Sequence, residues 1–327
     1  MSHRRGVISQ SSGIGYAPSD LVAVSRLYYE DGKTQQEIAD MLGVSRVTVT
    51  RLLKRAKEQG IVQIQIVDPI TENIELANRL RESFGLADAV VVPVDISNEE
   101  VIRSEIGRAA RKYLDSIIER NMIVGVSWGS TIHAFLKFVE PSVKTSITVV
   151  PLGGAIKEAI DSDVNEYARR LAVAYGGIWR PLHGPAMLSD KGALDALLRS
   201  SQIDEAVALW DELDIAIVGI GACDPASMSR YVGYLNADDF IALQRSEAVG
   251  DICLRFFRED GIHCKGTFDQ KVLGVALERL NTVRYAIGLA GGLKKVSAIH
   301  GALRGGYVNV LITDRLTAKS LLKLEGL

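Results

Sequence analysis

Between residues 45 and 57 the sequence reads "SRVTVTRLLKRAK", with five cations (Arg46, Arg51, Lys54, Arg55 and Lys57), three hydroxyls and no acid. Guanidinium forks suit guanine edges, a threonine methyl suits the thymine methyl, and further cations suit phosphates. The whole chain of 327 residues has a formal net charge of −2, so the cluster is local. This chemistry needs a helix held out by a tight turn. Ala39, Gly43, Val49 and Leu52 have the spacing of a helix-turn-helix: a small residue at the crossing, a turn glycine and apolar inner positions. Thr34, with Glu37 three residues on, opens the first helix of the pair as a capping box, and Ser45 caps the second, which runs to about Gln59 before Gly60. Val49, Leu52, Leu53 and Ala56 face inward. Ser45, Arg46, Thr48, Thr50 and Arg51 lie toward the end that reaches bases, and Lys54, Arg55 and Lys57 toward phosphates. Thr34 and Gln35, at the start of the preceding helix, complete the expected DNA-binding set. The competing reading is a solvated helix face, but such faces mix signs, and this one stays cationic until Glu58.

A second constellation lies at three strand ends rich in glycine and hydroxyls: "GVSWGST" (125–131), "PLGGA" (151–155) and "AGGLKK" (290–295). Ser127, Ser130, Thr131 and the N–H groups after Gly129 suit a phosphate at a helix N-terminus. Lys294 and Lys295 in a first helical turn oppose the helix dipole unless an anion sits there. Each loop taken alone fits tight turns and close packing equally well. Asp251 lies inside the apolar stretch "AVGDICLRFF" and either caps a turn or accepts hydrogen bonds from ligand hydroxyls. "GIGACD" (219–224) lacks the third glycine of a dinucleotide fingerprint. His133, His183, His263 and His300 show no metal-ligand spacing, so neither a metal nor another cofactor is expected. No nucleophile–base pair stands out, so no catalytic residue is named.

The elements that must carry these residues follow from periodicity. Residues 1–16 read as a flexible arm and 17–68 as a helix-turn-helix domain. A strand, "IVQIQIVDP", follows the cationic helix as a wing, with Val62, Ile64 and Ile66 on one face. Residues 69–86 read as a linker helix with Ile74, Leu76, Ala77, Leu80 and Phe84 on its apolar side. From 87 to 327, short Val/Ile runs (89–94, 122–127, 146–152, 213–221, 283–290, 307–313) alternate with helical patterns. That texture predicts an α/β domain with a mostly parallel sheet covered on both faces. Composition is ordinary for a globular chain, with 47% hydrophobic and 24% charged residues. Three scattered cysteines argue against a disulfide framework, and no apolar run reaches the ~18 residues of a membrane span. The expected location is the cytoplasm.

Together these motifs resemble the SorC family of sugar-binding transcriptional regulators. "LYYEDGKTQQEIADMLGVSRVTVTRLLKRAKEQGIVQIQI", "GVSWGST", "VGIGA", "VGYL", "AVGDI", "AGGLKK", "LRGGYVNVLITD" and "TAKSLL" occur in the family's order from about residue 20 onward. The resemblance implies a Rossmann-like effector domain akin to sugar-phosphate isomerases and deaminases, operator DNA and a phosphorylated sugar as partners, and a homotetramer, a dimer of dimers. Carried across, Gly129, Ser130, Thr131, Gly153, Gly154 and Lys295 would hold the phosphate and Asp251 the sugar hydroxyls. The family often has an acid after its Phe-Phe pair, where this chain has Arg258. Two other functions stay open from sequence: an isomerase- or deaminase-like enzyme with an accessory DNA domain, and a DNA-binding protein whose second domain only assembles it.

Overall fold

The computed structural model describes residues 17–64, 71–141, 145–156, 163–223 and 235–326. The expected arm, 1–16, lies outside them. The chain divides into two units, Met1–Asp68 and Pro69–Leu327.

The first unit contains α1 (Pro18–Tyr29), α2 (Gln35–Leu42) and α3 (Arg46–Glu58). Thr34 opens α2 through both halves of a capping box. Its hydroxyl accepts the Glu37 N–H at 3.2 Å, and the Glu37 carboxylate accepts the Thr34 N–H at 2.8 Å. Gly43 ends α2 at φ 66°, a left-handed conformation that glycine adopts without strain. Ser45 then caps α3 by accepting the Thr48 N–H at 3.1 Å. Leu21 and Val24 of α1 close over Ile38, Ala39, Val49, Leu52, Leu53 and Ala56 in one core. Each fully buried Leu or Val there contributes about 1.5–3 kcal/mol.

The expected wing strand does not begin at residue 61. Residues 61–64 are not in a strand, and the remainder, 65–68, lies outside the described residues. The Val62 N–H donates to the Ala56 carbonyl at 3.1 Å, so a ladder donor is used to close the end of α3. Ile64, placed on the dry face by alternation, is 56% exposed.

The second unit starts with α4 (Thr71–Phe84), β1 (Asp88–Val92), α5 (Glu99–Ile117), β2 (Ile123–Val126), α6 (Ser130–Leu136), β3 (Thr148–Pro151), α7 (Val164–Ala174) and β4 (Ile178–Trp179). It continues with α8 (Lys191–Leu198), α9 (Ser201–Ala208), β5 (Ile215–Gly219), β6 (Gly221–Ala222), α10 (Ala237–Arg245), β7 (Gly250–Ile252) and β8 (Arg255–Phe257). It closes with α11 (Leu277–Leu280), β9 (Tyr285–Leu289), α12 (Val296–Arg304), β10 (Val310–Asp314) and α13 (Arg315–Leu324). Among the described residues the main sheet has the order β1-β10-β9-β5-β2-β3-β4, parallel throughout, and β6-β7-β8 form a small antiparallel sheet. Alternate residues of each strand fill two separate cores. Val124, Val126, Ile215, Ile217, Ile287 and Leu289 pack on one face. Val150, Leu152, Ala216, Val218 and Ala286 pack on the other. Both faces are dry, which is why the strands read as unbroken apolar runs.

The helix expected as a linker is part of this second unit. Leu76, Ala77 and Leu80 of α4 are buried, and the helix packs on β1 and α13. Ile74 is 53% exposed, and Asn73 takes the inner position one turn before Ala77. Thr34→Ala removes the cap of α2. It should cost the DNA-binding unit about 1 kcal/mol, read as a lower denaturation midpoint of that unit's transition in the full chain.

Candidate DNA-reading face and effector cleft

Helix α3 buries Val49, Leu52, Leu53 and Ala56 and exposes the opposite side. At about 100° per residue, the side chains farthest from the core are Val47, Arg51, Lys54 and Glu58. Arg46 and Lys57 flank that stripe on one side and Arg55 on the other. The expected base readers and phosphate cations therefore share one outer surface. Lys54 lies on the same stripe as Arg51, rather than apart from the readers. Thr50 donates its hydroxyl to Gln35 Oε1 at 2.8 Å, bracing α3 against α2. Thr34 uses its hydroxyl in the capping box, and Thr48 is half-buried with its hydroxyl 2.9 Å from that of Ser45. Val47, outside the expected DNA-binding set, is 71% exposed near the N-terminal end of α3. Its signal was available, because a valine two residues before the buried Val49 must point outward.

In the second unit the strand order reverses between β2 and β5. The connection after β2 runs toward β3, and the one after β5 runs toward β9. Carboxyl ends of strands at such a reversal leave a crevice. Here it is a cleft of 570 Å³ lined by Gly129, Ser130 and Thr131 at the start of α6, Gly219, Ile220 and Gly221 after β5, Asp251, Cys253 and Leu254 of the β7–β8 hairpin, and Lys295. The first-turn N–H groups of α6 have no carbonyl one turn back to bond, and Gly129 at φ 136° turns the chain into that helix. Lys295 donates from Nζ to the Ile220 carbonyl at 2.9 Å. Lys294 points elsewhere and pairs with Glu99 at 3.1 Å, which lowers the Glu99 carboxyl from its ordinary range. Asp251 is buried and accepts the Leu254 N–H at 3.1 Å, so it caps the turn and also lines the cleft.

Three of the expected effector contacts do not line this cleft. Ser127 is 2% exposed, and its hydroxyl accepts the Gly219 N–H at 3.1 Å and faces the Trp128 carbonyl at 3.2 Å, which joins the ends of β2 and β5. Gly153 lies under the Trp128 ring, which any side chain at 153 would overlap. Gly154 gives its N–H to the Leu273 carbonyl at 2.9 Å, and a Cβ there would meet the Pro185 carbonyl oxygen at 2.5 Å. Ser127 and Gly153 thus contact Trp128, which lines the cleft, while Gly154 packs against the backbone at 184–185 and 273.

Other lining residues carried no motif. Arg103 and Glu100 come from α5, His133 and Lys137 from α6, and Tyr167 from α7. His133 Nδ1 and the Tyr167 hydroxyl are 3.2 Å apart. Only the fold brings α5 and α7 beside α6. Arg258, which replaces the family's acid, pairs with Asp260 at 2.6 Å and is not among the residues lining the cleft.

The hairpin that carries Asp251 turns through Cys253 and Leu254 at φ 53° and 61°, a left-handed pair without glycine. Such residues each cost about 1–3 kcal/mol unless the surroundings hold them. Arg255 provides that hold. Its guanidinium pairs with Asp269 at 2.8 Å and donates to the Val272 and Gly274 carbonyls at 3.2 Å. Burial alone would raise the Asp269 carboxyl. Hydrogen bonds from His263 and Arg255, with the Arg255 charge, outweigh it and hold the carboxyl below its ordinary range. Burial, and then the Asp251 charge, push the Cys253 thiol well up, which favours the protonated form.

A cationic helix-turn-helix unit, followed in the chain by an α/β unit with a polar cleft at its sheet reversal, defines a sugar-binding transcriptional regulator once the relatives are considered. Residues 68–323 match the sugar-binding domain family, and residues 30–78 match the Crp-like helix-turn-helix domain. The chain is 34% identical over 304 residues to the deoxyribonucleoside regulator of Bacillus subtilis (strain 168), covering 92% of this chain and 96% of that protein. It is 35% identical over 309 residues to the sorbitol operon regulator of Klebsiella pneumoniae, covering 93% and 97%. The crystal structure of the full-length sorbitol operon regulator SorC from Klebsiella pneumoniae superposes with a TM-score of 0.77 at 33% identity, covering 94% of this chain and all of that one. The chain belongs to the SorC family of sugar-binding transcriptional regulators. These relatives are named as regulators, and this chain is likewise a regulator of transcription. Among the described residues no helix is long and apolar enough to cross a membrane.

Because the Asp269 carboxyl is depressed on folding, its stabilising effect is present above the unfolded value of about 3.9 and fades as pH falls through the folded value. Asp269→Asn should therefore lower stability by about 2 kcal/mol at pH 7. The gap to the unaltered protein should close below about pH 4, as followed by urea denaturation across pH.

Proposed function

We propose that this chain controls a carbohydrate-utilisation operon from the cytoplasm, and that a phosphorylated sugar in the 570 Å³ cleft is its effector. The observation that carries this reading is the meeting of three groups in one cleft: the Lys295 ammonium, the N-terminal turn of α6 at Gly129–Thr131, and the Asp251 carboxylate. An ammonium and the first-turn N–H groups of a helix suit a phosphate. A carboxylate suits sugar hydroxyls, since it only accepts. The relatives named as a deoxyribonucleoside regulator and a sorbitol operon regulator support a carbohydrate signal. A homo-oligomer, a dimer of dimers, fits a regulator that reads two half-sites of operator DNA.

On the DNA side, Arg46 and Arg51 read base edges, and Arg55 and Lys57 hold phosphates on either side of the groove. Val47 projects from the same surface and meets a thymine methyl.

The effector reading is tested by thermal shift with glucose 6-phosphate, fructose 6-phosphate, ribose 5-phosphate, sorbitol 6-phosphate and inorganic phosphate, with the unphosphorylated parents as controls. A true effector at 100 times its Kd adds about 2.7 kcal/mol of stability. Lys295→Ala should abolish the shift and leave effector-free operator binding unchanged. A shift given equally by unphosphorylated sugars would refute the phosphate assignment.

The DNA reading is tested by selecting a binding site from randomised duplexes and replacing its thymines singly with deoxyuridine, which lacks the methyl. One position in each half-site should lose affinity with unaltered protein, by roughly 0.8 kcal/mol for the one buried methyl, and lose none with Val47→Ala. Equal losses in both proteins would remove Val47 from the reading set.

A further inference from the structure

The loop that carries Lys295 is anchored by a carboxylate. Asp314, at the end of β10, is fully buried and caps α13 by accepting the Thr317 N–H at 2.9 Å and the Thr317 hydroxyl at 2.5 Å. The same carboxylate accepts the Gly292 N–H at 2.7 Å, three residues before Lys295. Gly291 must remain glycine here, since a Cβ would come within 2.5 Å of Asp314 Oδ2.

The next residue faces the opposite way in function. Arg315 is 13% exposed and donates from Nε to Asn73 Oδ1 at 2.8 Å, in the first turn of α4. It also pairs with Asp95 after β1 at 2.6 Å and lies 3.7 Å from Glu72. Lys319, one turn further along α13, pairs with Glu72 at 2.7 Å. Asn73 is itself buried, so its amide depends on this partner. Helix α4 is the first described element after the DNA-binding unit in the chain.

We propose that Asp314 and Arg315 form a two-residue positioning junction, in which Asp314 sets the lysine loop, Arg315 sets the first turn of α4, and occupancy of the cleft is transmitted between them. The proposal rests on the effector reading above. An anion competing with the Ile220 carbonyl for Lys295 pulls on the loop held at Gly292. Asp314 and Arg315 are consecutive residues at one helix start, so a shift at the first moves the second. Close packing turns small shifts of this kind into discrete rearrangements.

The test uses the full chain with Arg315→Met, which keeps the apolar stem and removes the guanidinium, and Asn73→Ala, which breaks the same contact from α4 should the first variant fail to fold. Each is given the sugar-phosphate panel and read twice: by thermal shift, for binding, and by the ratio of operator Kd with and without the sugar phosphate, for coupling. Natural coupling factors are about 5–150-fold. The junction predicts an unchanged thermal shift with a Kd ratio reduced to within about twofold of one. A purely structural Arg315 would lower stability and leave that ratio intact, which overturns the proposal.

Failure of the effector reading itself would appear separately, as no thermal shift in the unaltered protein with any panel member. Amide hydrogen exchange then decides the matter without a ligand. Asp314→Asn should speed exchange in 290–297 and also in 74–80 of α4. Faster exchange confined to 290–297 and α13 overturns the junction.

Discussion

The second unit depends on the pairing of β2 with β5. These neighbours send their connections in opposite directions, which leaves a crevice at their shared carboxyl end. The Ser127 hydroxyl accepts the Gly219 N–H and holds the two strand ends in register beneath that opening. Above the pair, α6 begins, the β7–β8 hairpin leans in, and Lys295 reaches the Ile220 carbonyl. Each comes from a different part of the chain, and none meets the others without the reversal. The small residues around it follow from the same constraint. Gly153 admits the Trp128 ring, and Gly125 admits the side chain of Leu152.

The two halves of the molecule use charge differently. On α3 the cations stand in water on one face, where among the described residues Lys54 alone pairs with an acid, and such cations can exchange counterions for phosphates. The surface pair Lys54–Glu58, at 3.8 Å, is too exposed to matter much for stability. In the second unit the influential charges are largely withdrawn from water and bonded in sets. Arg255 holds a strained turn in place, and Asp314 holds a loop against a helix start. A buried charge bonded at several points is expensive to disturb, and so it positions its neighbours closely. That contrast suits one surface that must meet varied DNA and one cleft that must hold a small molecule.

Much of the architecture was legible because local chemistry and global fold agree. Thr34, Glu37, Gly43 and Ser45 formed the caps and turn that their types require, and the Val/Ile runs became the longer parallel strands. The short elements were not legible. The strands β4, β6, β7 and β8 have two or three residues each, too few for a period to show. The expected wing failed at 61–64 because alternation cannot reveal that the Val62 N–H already serves the end of α3. Ile74 misled because an isoleucine at nearly helical spacing looks like core, while the buried polar Asn73 does not.

The candidate site divides along the same line. By itself the sequence determined which residue types were present in which local setting: a cationic helix with a capped start, glycine and hydroxyl at the head of α6, a lysine after a glycine pair, and an aspartate in an apolar run. Those are short-range facts, set by backbone conformation and side-chain chemistry within a few residues. Tertiary structure alone decided which of them share a cavity. It brought Gly129, Ser130, Thr131, Asp251 and Lys295 together, left Ser127, Gly153 and Gly154 out of the lining, and added Arg103, His133 and Tyr167 from separate helices. The reason is that a cleft is defined by strand order, and strand order comes from pairings between residues far apart in the chain, such as Asp88 with Val310.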